Sequence, residues 1–160
     1  TEVYYTTKKT YLHFEDCVLV PWKDLPATSE QLATLAGDAP SMAHVSGIGT
    51  YTAEFELPEN WDDSLGAVLK IPSAGGGSVR ITINGQKIPI AFRNLTADIS
   101  AFVRPGKNLL VIEVASTLTN RMLQRRYDLK NCGWDVKPVY IQSYGLTGEV
   151  KVVPYRKIRL

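Results

Sequence analysis

Trp134 and Tyr144, with Asn120, Arg121 and Asp135 in the same stretch, set two aromatic rings among an amide, a guanidinium and a carboxylate. That mixture suits carbohydrate recognition, in which a ring covers the C–H face of a sugar while polar groups meet its hydroxyls. The same residue types also serve loop packing or docking onto another domain. Arg121, Arg125 and Arg126 add planar donor arrays for acidic groups, partly neutralised by Asp128 and Asp135. Trp22 and Trp61 read as packing residues.

Catalytic chemistry finds less support. Glu54 and Glu56 fall on one strand face, but a glycosidase pair needs a sugar cleft between its carboxylates, so both read as surface groups. Asp62-Asp63 reads as a hydrated loop. Ser46 lies in no GxSxG elbow, and Gly75-Gly76-Gly77 lacks the Lys-Ser or Lys-Thr ending of a phosphate loop. Cys17 and Cys132 are too far apart for a CxxC motif; they form either one disulfide or two buried thiols. His13 and His44 make no HExxH pair. Calcium takes about six to eight oxygens, and Asp98 or Asp128 alone falls short, so no cofactor or metal is expected.

The elements that must position the loop residues are strands. The chain of 160 residues contains 14 Val, 13 Thr and 10 Ile, with 12 Gly and 9 Pro as punctuation, a composition of strands and turns. Tyr51, Ala53, Phe55 and Leu57 alternate with Thr52, Glu54 and Glu56, giving a half-buried strand closed by Pro58. A run from Gly66 to Ile71 ends at Pro72; the Gly- and Ser-rich segment Ser73–Ser78 reads as a mobile loop leading into a second hairpin arm. Val79, Ile81 and Ile83 precede Asn84-Gly85, a type I′ hairpin signal, and Pro89 marks the return arm as an edge or a bulge. Pro105-Gly106 turns the chain into Asn108–Ala115, whose inward face is Leu110, Ile112 and Val114. A last short strand carries Val150, Val152 and Val153. Residues 1–20 supply one or two peripheral strands, and 21–46 a surface connection with a short helical turn near Ser29–Leu35.

These runs predict an all-β, antiparallel β-sandwich, a single domain over 1–160 with a peripheral segment 1–45 and a core 46–155. With 18 Lys plus Arg against 16 Asp plus Glu, the formal net charge is +2, too balanced for a nucleic-acid binder held by phosphate contacts. No run nears the roughly 20 apolar residues of a membrane span, and the N-terminus carries no signal-peptide pattern.

Ser46–Pro58, Ile83-Asn84-Gly85, Asp98-Ile99-Ser100 and Arg104–Leu110 together resemble the accessory β-sandwich domains of large glycoside hydrolases. The family is the galactose-binding-domain-like jelly roll, which includes sugar-binding domains of family 2 glycosidases. A narrower resemblance, in Ser116–Arg121, Tyr144–Val150 and Val153-Pro154-Tyr155, is to the non-catalytic C-terminal domain of α-L-rhamnosidase-like glycosidases. It implies a domain that is not itself an enzyme and binds plant or microbial polysaccharide beside the catalytic domain of a parent glycosidase. A secreted or periplasmic setting follows from the same resemblance, with no membrane or nucleic-acid partner. The alternative is a structural brace between domains, without sugar affinity of its own.

Overall fold

Alternating apolar residues make strands wherever the sequence predicts them, and nine are formed among the described residues. These residues are 2–6, 10–11, 14, 19–26, 29, 42–90, 94–124 and 140–159 of a computed structural model. The strands are β1 (Glu2–Thr6), β2 (Thr10–Tyr11), β3 (Ile48–Leu57), β4 (Leu65–Lys70), β5 (Ser78–Ile83), β6 (Gln86–Ile88), β7 (Thr96–Asp98), β8 (Gly106–Ala115) and β9 (Lys151–Arg159). One short helix, α1 (Thr119–Gln124), follows β8, and single 3-10 turns occur at Trp22–Asp24 and Met42–His44.

The strands form two antiparallel sheets, one in the order β1-β9-β4-β7 with β2 also on β9, the other β3-β8-β5-β6. The chain is an all-β sandwich. Leu69 and Val152 from the first sheet meet Ile81, Ile83, Leu110 and Ile112 from the second in one core, each with no exposed surface. Burying a side chain of that size contributes about 1.5–3 kcal/mol. In β3 the burial alternates along the strand, with Tyr51, Ala53, Phe55 and Leu57 inside and Glu54 and Glu56 outside. Phe14 and Trp22, from the N-terminal segment, also belong to the core.

Asn84 (φ 49°) and Gly85 (φ 83°) both adopt positive backbone angles, so the expected type I′ turn joins β5 to β6, which forms the edge of its sheet. Pro89 lies just past that edge strand, where no ladder donor is needed. The hairpin expected across Ser73–Ser78 is not formed: β4 pairs with β7 and β9, while β5 pairs with β6 and β8. The loop instead carries the chain from one sheet to the other, because both strands have a core-facing side and meet across the interior. It is also tied down. Ala74 is buried, and Ser73 bridges Thr147, whose N–H donates to the Ser73 carbonyl at 3.2 Å.

The last strand is longer and more central than expected. β9 takes partners on both sides, β1 and β2 on one and β4 on the other. Of the helical turn expected at Ser29–Leu35 only Ser29 is described, and Cys17, Cys132 and His13 lie outside the described residues.

Candidate functional site

The described loop residues 116–124 and 140–148 gather at the end of the sandwich where β3 begins. Ser116 N–H donates to the Gly47 carbonyl at 2.9 Å and Gly47 N–H returns a bond to Ser116 Oγ, so the chain leaving β8 is fixed to the chain entering β3. Arg121 N–H donates to Ser46 Oγ at 3.3 Å and places α1 over that junction. Asn120 is buried; its Nδ2 donates to the Gln142 carbonyl at 2.9 Å and its Oδ1 accepts from Gln142 N–H at 2.8 Å. Tyr144 is 4% exposed, its ring 6.3 Å from that of Trp22 and its hydroxyl bonded to Thr117 Oγ1. Trp22 in turn donates from Nε1 to the Tyr51 hydroxyl at 2.7 Å, which also accepts from Leu146 N–H at 3.1 Å.

Of the five residues the sequence singles out, the structure therefore brings Asn120, Arg121 and Tyr144 to one end, two of them with polar groups engaged inside the fold. Trp134 and Asp135 lie outside the described residues, as do Arg125, Arg126 and Asp128. The same end exposes apolar side chains that sequence reasoning did not select: Ile48, Leu118, Met122 and Tyr140, the last 78% exposed. Met122 N–H donates to the Leu118 carbonyl, which sets these two side chains one helical turn apart. No local pattern marks Tyr140; its place follows from Gln142, whose backbone meets the side chain of Asn120.

A concave feature lies at the opposite end, where β3 finishes. A cleft of about 580 Å³ opens between the β3–β4 connection, which supplies Trp61, Asp62 and Asp63, and Arg104 from the β7–β8 connection, with Asp98 of β7 and Lys157 of β9 along its side. Trp61 is half-buried against the core, and its N–H closes a turn on the Pro58 carbonyl at 3.0 Å. Asp62 Oδ1 accepts from both Ser64 Oγ and Ser64 N–H, and those bonds hold its carboxyl below the ordinary carboxylate range. Asp98 is held more elaborately. Burial alone would raise its pKa, but Ser100 Oγ at 2.6 Å, Ser100 N–H at 2.9 Å and the Tyr155 hydroxyl at 3.0 Å outweigh that penalty and lower it, with help from Lys157. Arg104 is oriented by its Nε, which donates to the Lys107 carbonyl at 3.3 Å.

Glu54 and Glu56 stand exposed on the outer face of β3, opposite Leu109 and Lys107 of β8. They face solvent rather than a cleft. Among the described residues no group of three or more His, Cys, Asp or Glu is placed to hold a metal ion.

No protein-family model matches the chain. A β-galactosidase of Arthrobacter sp. (strain B7) is 33% identical over 81 residues, which cover 48% of this chain and 8% of that protein. Among solved structures, the rhamnosidase of Novosphingobium sp. PP1Y superposes with a TM-score of 0.62 at 18% identity, over 95% of this chain and 15% of its own. The β-D-glucuronidase of Dictyoglomus thermophilum superposes at 0.54 with 16% identity, over 98% and 28%. The fold is thus that of small β-sandwich domains carried within much larger glycosidases. The chain spans a minor part of each of these proteins.

Proposed function

We propose that this chain is a non-catalytic, carbohydrate-associated accessory module of a larger glycosidase, of α-L-rhamnosidase-like type, that holds polysaccharide near a catalytic domain. The observation that carries the reading is the β-galactosidase match, 33% identity within a protein of which the matched part is 8%, on a fold that recurs in a rhamnosidase and glucuronidases. Weak local binding suffices for such a role, because tethering raises the effective concentration of the attached enzyme on its substrate. In this reading Arg121, Trp134 and Asp135 contact the glycan, while Asn120 and Tyr144 hold the loops that present them. An extracellular or periplasmic setting, where polysaccharide is met, belongs to the same proposal. Pull-down on insoluble plant, fungal and bacterial polysaccharides, followed by calorimetry, should find selective binding that Arg121→Ala and Trp134→Ala weaken. Absence of binding to every polysaccharide defeats the reading.

A second reading, an interdomain brace, is favoured by the exposed Ile48, Leu118, Met122 and Tyr140 beside those loops, which suit a protein surface better than a polar ligand. Deleting the module from the parent glycosidase then lowers its thermal unfolding temperature with soluble substrate. Unchanged stability and turnover would remove the brace.

A further inference from the structure

The cleft between Trp61 and Arg104 lies at the end of the sandwich opposite residues 116–124 and 140–148; Asp98, Ser100 and Arg104 in its wall belong to segments that carry the family resemblance, which assigns them no ligand. Its volume of about 580 Å³ falls within the roughly 300–1,000 Å³ of small-molecule sites. Its wall combines one half-buried indole with the acceptors Asp62 and Asp63 and the donors Arg104 and Lys157, the last held beside the two aspartates by its backbone N–H, which donates to the Ser64 carbonyl at 2.8 Å. We propose that this cleft binds a neutral pyranose, stacked on Trp61 and hydrogen-bonded between Asp63 and Arg104. The inference rests on the reading of the chain as a carbohydrate-associated module and adds a sugar contact that this reading does not include.

Three features select that ligand over others. Asp98, Ser100 and Tyr155 bond one another, so this part of the wall is rigid before any ligand enters and no ordering cost falls on it during binding. The carboxylate of Asp63 and the ammonium of Lys157 form no ion pair among the described residues, which leaves an acceptor and a donor for hydroxyls. Three carboxylates against two cations disfavour an anionic ligand, and a wall with one aromatic ring among so many polar groups disfavours an apolar one. A sugar ring offers what remains: an apolar face for the indole and a rim of hydroxyls that both donate and accept.

The test uses the 160-residue chain labelled with nitrogen-15 and titrated with methyl β-D-galactopyranoside, methyl α-L-rhamnopyranoside and methyl β-D-glucuronide, each beside a neutral oligosaccharide of the same sugar family where one exists. The expected result is movement of the Trp61 indole N–H signal with a neutral glycoside, weaker movement with the glucuronide, and about a tenfold loss of affinity in Asp63→Asn. A response to the free glycoside assigns the cleft to a single ring, and a response only to the oligosaccharide assigns it to a chain; both support the site. Since Trp61 also leans on the core, Trp61→Ala is read only alongside Asp63→Asn, whose exposed side chain can change without disturbing the fold. Glycan binding that persists in Asp63→Asn with an unmoved Trp61 signal, but disappears in Arg121→Ala, overturns the cleft and leaves the accessory-module reading intact. If the unaltered chain binds no saccharide in either assay, both fall.

Discussion

The hydroxyl of Tyr155 donates to Asp98 Oδ2 at 3.0 Å, tying β9 to β7 across the intervening strand β4. The ring reaches that position by crossing Gly66, its partner in the ladder: a Cβ on residue 66 would stand 2.2 Å from Tyr155 Cζ. A glycine inside a strand ordinarily weakens it, and here the absent side chain is the slot in which the tyrosine lies.

Gly66→Ala should therefore displace the ring and break the bond to Asp98, costing about 2 kcal/mol. Urea unfolding of Gly66→Ala, Tyr155→Leu and the double variant forms a cycle whose two single losses should add to more than the double loss. Strict additivity would show that the two residues do not share one space.

Asp98 predicts an acid dependence. Its folded pKa lies below the value of about 3.9 expected of an unfolded aspartate, so the unfolded chain binds the proton more readily. The stabilisation is complete above the unfolded value and disappears as pH falls through the folded one. Asp98→Asn should consequently unfold at a urea midpoint that changes less between pH 5 and pH 3 than that of the unaltered chain. Identical slopes would leave the carboxylate no part in acid stability.

Tyr51→Phe removes the acceptor shared by Trp22 Nε1 and Leu146 N–H and leaves two donors unpaired in the core. The expected loss is about 2–3 kcal/mol, read as a lowered urea midpoint with little change in slope. A loss near zero would mean that both donors had found other partners.

Asn108 is 1% exposed and makes four bonds that shape the turn into β8. It accepts from Arg104 N–H and from Asn84 Nδ2, and donates to the Arg104 and Gly106 carbonyls. Asn108→Leu keeps the branched outline, adds bulk and strands these groups, so a loss of about 3 kcal/mol is expected, larger than for exposed Lys107→Ala. Equal midpoints for the two variants would reduce Asn108 to a space filler.

Alternation made the interior legible, because Leu110, Ile112 and Val114 point inward for a reason contained in three successive turns of the pleat. The Asn84-Gly85 turn was equally local. What could not be read from spacing depended on distant partners. Tyr155 lies on the outer side of its sheet and is buried only because Gly66 faces it. Ser73–Ser78 has the composition of a loose loop, and the bridge to Thr147 ties it down. Asn120 and Tyr144 carry groups as fit for an internal bond as for a hydroxyl, and Gln142 and Thr117 decide between them. Trp61 reads as packing, and half of it is; its place beside Arg104 follows from two connections more than thirty residues apart meeting at one end.

Each sheet is completed by a strand made long after its neighbour. β3 finds β8 only after the four strands between them have been synthesised, and β4 finds β9 only near the end of the described chain. On the ribosome, Tyr51, Phe55 and Leu69 are consequently exposed as nascent apolar edges until late strands emerge, a pattern that slows folding and favours chaperone capture. A stop codon placed just ahead of Lys151 would release a chain lacking the strand that joins β1 to β4, and aggregation rather than a weakened sandwich is its natural outcome.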